Sequence, residues 1–173
     1  MTDKKTLQIR KSSAGDAQIL KDICSSCGET AYEDDLLRNM ECVEEGTRII
    51  FIIEENGLAA GSCIFNGQPR YVLFDKLDIP AIQDLKIVPD QRRKGLATAL
   101  IKYCEEYARE LGYSDIGISV ALHSGFGPAQ RLYVKLGYVP DGAGVTYDRE
   151  LISPMEMRPI DDDLCLMLVK ALN

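Results

Sequence analysis

The chain has 173 residues, 46% of them apolar and 27% charged, with 20 Lys and Arg against 27 Asp and Glu and a net charge of −7. That length fits one domain over residues 1–173, and the composition excludes disordered, collagen-like and low-complexity chains. The negative charge sets the chain against phosphate backbones and anionic lipid, so neither nucleic acid nor a membrane is an expected partner.

No apolar run reaches the roughly 18–20 residues that span a bilayer. The polar stretch from Met1 to Arg10 lacks the apolar segment of a secretory signal, which points to the cytoplasm. Six cysteines, at 24, 27, 42, 63, 104 and 165, are scattered and read as free thiols. Cys24 and Cys27 have the spacing of half a zinc site. No second such pair completes it, and the single histidine, His123, is far along the chain, so no metal is expected.

In chain order, Leu7–Arg10 reads as a strand, and Asp16 to about Cys27 as an amphipathic helix with Ala17, Leu20, Ile23 and Cys24 on one side. A second helix is predicted from about Glu33 to Val43. Two extended runs, Arg48–Ile53 and Leu58–Phe65, flank Glu55-Asn56-Gly57, and Asn-Gly between apolar runs is a strong hairpin signal. Tyr71–Phe74 reads as a short extended piece and Ala81–Val88 as a strand stopped by Pro89. From Gly95, the positions Leu96, Leu100, Tyr103, Cys104, Tyr107 and Leu111 form a helical stripe closed by Gly112. Ile116–Leu122 reads as a strand. A helix opens at Gly127-Pro128 and closes at Leu136-Gly137. Leu164–Val169, an unbroken apolar run, reads as a strand buried on both faces. The order is that of a mixed α/β domain.

The chemistry concentrates between the Leu85–Pro89 strand and the helix after Gly95. Arg92, Arg93 and Lys94 are three adjacent cations on an acidic chain. They precede a helix N-terminus, where unpaired N–H groups and the macrodipole favour anions. Gly95 and Ala97 lack bulk and let oxygens approach the backbone. A pyrophosphate fits such a turn. Neither G-x-x-x-x-G-K-[ST] nor G-x-G-x-x-G is present.

This segment resembles the signature of the GNAT superfamily of acyl-CoA-dependent N-acetyltransferases, [RQ]-x-x-G-x-[GA], with Arg92, Gly95 and Ala97 in place. Ala129–Tyr138 similarly resembles that family's A-x-x-L-Y-x-x-L-G-[FY] helix and turn. The resemblance covers about Leu85 to Tyr138. It implies a mostly antiparallel, twisted central sheet flanked by helices, with acetyl-CoA as co-substrate and a small-molecule amine as acceptor, and it allows for a homodimer. It gives Leu85 and Ile87 backbone contacts to the pantetheine arm, and Arg92, Arg93, Lys94, Gly95, Leu96, Ala97 and Thr98 the pyrophosphate. A strand N–H at Ile87 or Val88 would hold the oxyanion. Phe126 stands where many members carry asparagine, so that cofactor contact is not carried over.

The resemblance places Tyr133 near the thioester sulfur, as the acid that protonates the departing thiolate. A phenol of pKa about 10 giving a proton to a thiolate of about 8.5 is uphill by about 2 kcal/mol, unless the steps are concerted. For a base, His123 suits neutral pH, and Asp84, beside Leu85, is a second candidate. Acidic clusters at Glu33-Asp34-Asp35, at Glu41 with Glu44-Glu45, and at Asp161-Asp162-Asp163 would favour a cationic amine. Two other functions compete: an acyl-CoA-binding sensor with little turnover, and acetylation of a protein N-terminus or lysine.

Overall fold

The computed structural model describes residues 6–29, 39 and 48–173. The elements in chain order are β1 (Leu7–Lys11), α1 (Ala17–Ser26), β2 (Arg48–Glu55), β3 (Leu58–Asn66), α2 (Val72–Lys76), β4 (Ala81–Ile87), α3 (Leu96–Glu110), β5 (Asp115–Ala121), α4 (Gly127–Lys135), β6 (Val139–Tyr147), β7 (Glu150–Leu151) and β8 (Leu164–Ala171). The helix expected over Glu33–Val43, two of the three acidic clusters and Cys42 lie outside the described residues. Two compact units divide the chain: Met1–Asn66 with Ile82–Glu106, and Gly67–Ala81 with Tyr107–Asn173. Among the described residues, no helix is long and apolar enough to cross a membrane.

In the first unit the strand order is β1-β2-β3-β4. The first two pairings are antiparallel, with Ile9 opposite Ile53 and Phe51 opposite Cys63. The predicted hairpin turns where expected, with Asn56 at φ 54° and Gly57 at φ 79°, the backbone that Asn-Gly turns adopt between twisted strands. Helix α1 lays Leu20 against Ile50, Ile52 and Ile64. Helix α3 buries Leu100, Ile101 and Cys104, and the Tyr103 ring meets Phe51 edge-on at 5.0 Å. The predicted α3 stripe is thus adjusted. Ile101 takes a fully buried place, while Tyr103 stays partly exposed and Leu111 exposed.

One polar cluster ties β1 to its neighbours. Arg10 donates from both terminal nitrogens to the two Asp16 carboxylate oxygens, each at 2.8 Å, and from Nε to Glu54 Oε1 at 2.8 Å. Asp16 also accepts from the Ser13 N–H (2.7 Å) and hydroxyl (2.9 Å), fixing the turn that starts α1. The Arg10 hydrogen bonds hold the Asp16 carboxyl well below the usual range, outweighing the burial that opposes them. A depressed carboxylate pKa stabilises the fold fully above its unfolded value near 3.8 and loses that contribution as pH falls below it. Asp16→Asn should therefore cost about 2 kcal/mol at neutral pH, a figure reduced for partial screening. It should also flatten the stability loss below pH 4, in urea unfolding at stepped pH. Parallel acid limbs in parent and variant would contradict this.

In the second unit the order is β5-β8-β6-β7, antiparallel throughout. Two expectations are corrected here. Tyr71–Phe74 is not extended: Val72–Lys76 is helical, which puts Tyr71 and Phe74 on one buried side with rings 4.9 Å apart and edge-on. Strand β8 is not buried along both faces, since only Met167 and Leu168 are buried within it. Strands β6 and β7 were not anticipated. The pairing of β6 with β8 is interrupted between Pro140 and Val145. The resulting class is the expected one: mixed α/β, with mostly antiparallel strands and flanking helices.

Candidate active site

Strand β4 delivers the chain into the basic turn. After Ile87, a single 3-10 turn over Pro89–Gln91 redirects it, and α3 begins at Leu96. Arg93 at φ 63° and Gly95 at φ 84° complete the bend. At Gly95 the left-handed backbone disfavours other residues, and a Cβ there would meet nothing within 4 Å, so the space above the backbone is open. Arg92, Arg93, Lys94 and Gly95 are all exposed, while Leu96 is buried and anchors the first turn of α3. Lys94 Nζ reaches Gln91 Oε1 at 2.6 Å and lies 3.7 Å from Glu55 Oε2. Arg92 Nε donates to the Ile87 carbonyl at 3.0 Å, and Cys27 Sγ lies 3.6 Å from the same oxygen. That carbonyl is therefore engaged from within the chain. Arg93 is left as an exposed cation beside the N–H groups that every helix start leaves without intrahelical partners.

Within β4, Asp84 has φ 50°, a left-handed conformation in the middle of a strand. Such a conformation costs on the order of 1–3 kcal/mol for a non-glycine residue, and least for Asp and Asn. Two residues on, Lys86 is buried. Its ammonium lies 3.1 Å from Glu29 Oε2 and 3.6 Å from Asp84 Oδ1. Burial acts to lower the Lys86 pKa, but Asp84 and Glu29 together outweigh it and hold the group above its ordinary value. Asp84 and Lys86 border a cavity of about 30 Å³ whose other walls include Leu20 and Cys24 of α1 and Ser62 of β3. The Lys86–Glu29 contact is invisible in sequence. Only the two-residue spacing of Asp84 and Lys86 along a strand hinted at a shared face.

In the second unit, α4 carries Tyr133, which is buried with its ring 6.3 Å from that of Tyr138. Gln130 Nε2 donates to the Ala121 carbonyl at 2.9 Å, tying α4 to the end of β5. Between them, His123 caps the turn Ser124–Phe126: its Nδ1 accepts from the Gly125 N–H at 3.2 Å. The proton therefore sits on Nε2, which faces Asp162 Oδ1 at 2.7 Å. Phe126 packs edge-on against the His123 ring at 5.0 Å. His123 would have to exchange one of these contacts to take a proton from a substrate. Asp162 belongs to the third acidic cluster, and its neighbour Asp161 accepts from the Tyr147 hydroxyl at 2.8 Å. Part of that cluster is thus committed to holding loops.

The Acetyltransferase (GNAT) family matches the chain over residues 17–138. No curated protein is significantly similar to it in sequence. Among solved structures, an N-acetyltransferase from Staphylococcus aureus Mu50 is similar with a TM-score of 0.69 at 18% identity, over 97% of this chain and 99% of that one. YncA from Salmonella typhimurium, solved with its cofactor acetyl-CoA, is similar with a TM-score of 0.69 at 16% identity, over 97% and 95%. The spermidine/spermine N-acetyltransferase SpeG from Vibrio cholerae, in E33Q and E41Q mutant forms, gives a TM-score of 0.68 at 16% identity, over 96% and 94%. At such identities the likeness speaks for the fold, and the family match, which spans well over half the chain, speaks for descent. The chain belongs to the GNAT family of acetyltransferases.

Proposed function

We propose that the protein moves an acetyl group from acetyl-CoA to the primary amine of a small acceptor. The observation that carries this is the turn between β4 and α3. Arg92, Arg93 and Lys94 are exposed there around a left-handed Gly95 with open space above it, on a chain of net charge −7. An acidic protein that gathers three exposed cations at a helix start has a local site for a polyphosphate. On this reading Arg92, Arg93, Lys94, Gly95, Leu96, Ala97 and Thr98 hold the pyrophosphate. The backbone at Leu85 and Ile87 lies along the pantetheine arm. Because the Val88 N–H donates to the Ala60 carbonyl at 3.0 Å, the strand N–H that opposes the charge developing on the thioester oxygen is that of Ile87.

Tyr133 is assigned the proton that the departing thiolate requires, on the strength of its motif position in α4. The acceptor ammonium, of pKa about 10.4 when unperturbed, has to lose a proton before attack. His123, with Nε2 on Asp162, can join that relay by releasing the Gly125 N–H from Nδ1.

Acetyl-CoA at about a hundred times its Kd should stabilise the fold by about 2.7 kcal/mol, raising Tm by about 5–10 °C for a chain of this size. Thiol release in the presence of a panel of amines then tests turnover. Stabilisation without release for any amine would favour an acyl-CoA-binding sensor instead. No stabilisation at all would overturn the proposal.

A further inference from the structure

The end of β4 carries an inference about the transfer step. It rests on the acetyl-transfer reading, in which the Ile87 N–H opposes the charge on the thioester oxygen. Successive residues of an extended strand turn their backbone groups to opposite sides. The Val88 N–H donates to Ala60 of β3 at 3.0 Å, and Val88 is itself extended, with φ −56° and ψ 140°. The Ile87 N–H and carbonyl therefore face away from β3. On the β3 side the strand end is held closely, since a Cβ at Gly61 would lie 2.4 Å from the Lys86 carbonyl oxygen.

The opposite side is held by a side chain. Arg92 Nε donates to the Ile87 carbonyl at 3.0 Å, across a turn in which the Arg92 N–H also donates to the Pro89 carbonyl at 3.2 Å. Cys27 Sγ, at 3.6 Å, is the more distant and weaker partner of the same oxygen. The clasp uses only Nε of the guanidinium. The terminal nitrogens carry the remaining N–H groups, in a fork that suits a phosphate, and the side chain is exposed. One planar group can thus hold the strand end by one edge and the cofactor by another.

The Ile87 carbonyl and N–H lie on the same side of the same residue, so a clasp on the first fixes the direction of the second. A group that stabilises a transition state has to be held within about 0.5 Å of its productive place. A misplacement of about 1 Å can cost about a hundredfold in rate.

We propose that Arg92 is a positioning residue for acetyl transfer, in addition to the pyrophosphate contact assigned to it. Its Nε holds the Ile87 carbonyl and thereby aims the Ile87 N–H at the thioester oxygen. The donor N–H at the Nε position does this work, and the positive charge serves the pyrophosphate.

Two substitutions separate the donor from the charge. Arg92→Gln removes the charge but keeps an N–H at the same place, because glutamine Nε2 stands where arginine has Nε. Arg92→Lys keeps the charge and puts a methylene there. Arg92 is exposed, so neither change disturbs the core. Single-turnover thiol release reads the transfer step, with protein in excess over acetyl-CoA and the fastest amine of the panel at saturation. The protein concentration that gives half the limiting rate reads donor binding. Arg92→Lys should slow the limiting rate about tenfold and leave half-saturation within about threefold of the parent. Arg92→Gln should do the converse, with a rate within about threefold and half-saturation raised about tenfold. An Arg92→Lys variant as fast as the parent, or an Arg92→Gln variant as slow as Arg92→Lys, would overturn the proposal. Either result leaves the acetyltransferase reading standing, whereas no thiol release from the parent with any amine defeats that reading itself.

Discussion

Tyr133→Phe should lower kcat by about 10²- to 10⁴-fold, the range expected when a positioned proton donor is removed. The stabilisation by acetyl-CoA should be unchanged. Phenylalanine keeps the ring that packs in α4 near Tyr138, so the substitution removes one hydroxyl and little packing. A thiolate that is not protonated as it leaves can return to the acyl carbon. Loss of the acid therefore appears in kcat and kcat/KM together, with the binding of either substrate spared. Steady-state thiol release at saturating amine gives kcat, and thermal shifts give binding. A variant within about twofold of the parent would show that the proton comes from elsewhere.

The second large effect is on stability. Gly117→Ala should cost about 3 kcal/mol, at the upper end for overpacking a core, and lower Tm by about 6–12 °C for a chain of this length. A Cβ at position 117 would lie 2.1 Å from Phe74 Cε2 and within 2.7 Å of two further ring atoms. Neither side can easily give. Phe74 is buried edge-on against Tyr71, whose hydroxyl donates to Asp141 at 2.6 Å. Gly117 is pinned by its N–H to the Pro80 carbonyl at 2.8 Å and by its place opposite Val169. The mechanism predicts coupling: Gly117→Ala combined with Phe74→Leu should destabilise less than the sum of the two single changes. Denaturant unfolding of the four proteins measures it. Simple additivity would mean that the strain is relieved somewhere other than at the Phe74 ring.

Gly117 also shows where sequence reading reaches its limit. A glycine inside Ile116–Leu122 is visible as a weak point in a strand. The aromatic ring that requires it comes from a helix more than forty residues away. That helix is the segment read as extended, because Tyr, Val and Phe favour strands. Burying Tyr71 and Phe74 together overrode that preference. The Asn56-Gly57 hairpin was legible for the opposite reason, since a two-residue turn is specified by the residues that form it. The basic turn was legible on the same ground, its cations, glycine and helix start being contiguous. Strand β6 was not, because Pro140, Gly142 and Gly144 disfavour a strand locally and its ends are held by pairing with β8 and, near Tyr147, with β7. The Glu29–Lys86–Asp84 cluster brings together positions nearly sixty residues apart, which only the folded chain can do.

The left-handed residue in β4 has a consequence for how the cavity beside it can be altered. Position 84 admits few occupants: aspartate, asparagine and glycine tolerate that backbone, whereas branched residues are strained there. Glutamate would supply the same charge with a longer reach, but only at the expense of about 1–2 kcal/mol of backbone strain. The walls offer no easier route, because Ser62, Leu20 and Ile64 are buried and Leu20 and Ile64 belong to one core cluster, where trimming a side chain costs about 2–5 kcal/mol. Both sides of the cavity beside β4 are therefore held, the strand by its backbone conformation and the walls by their packing.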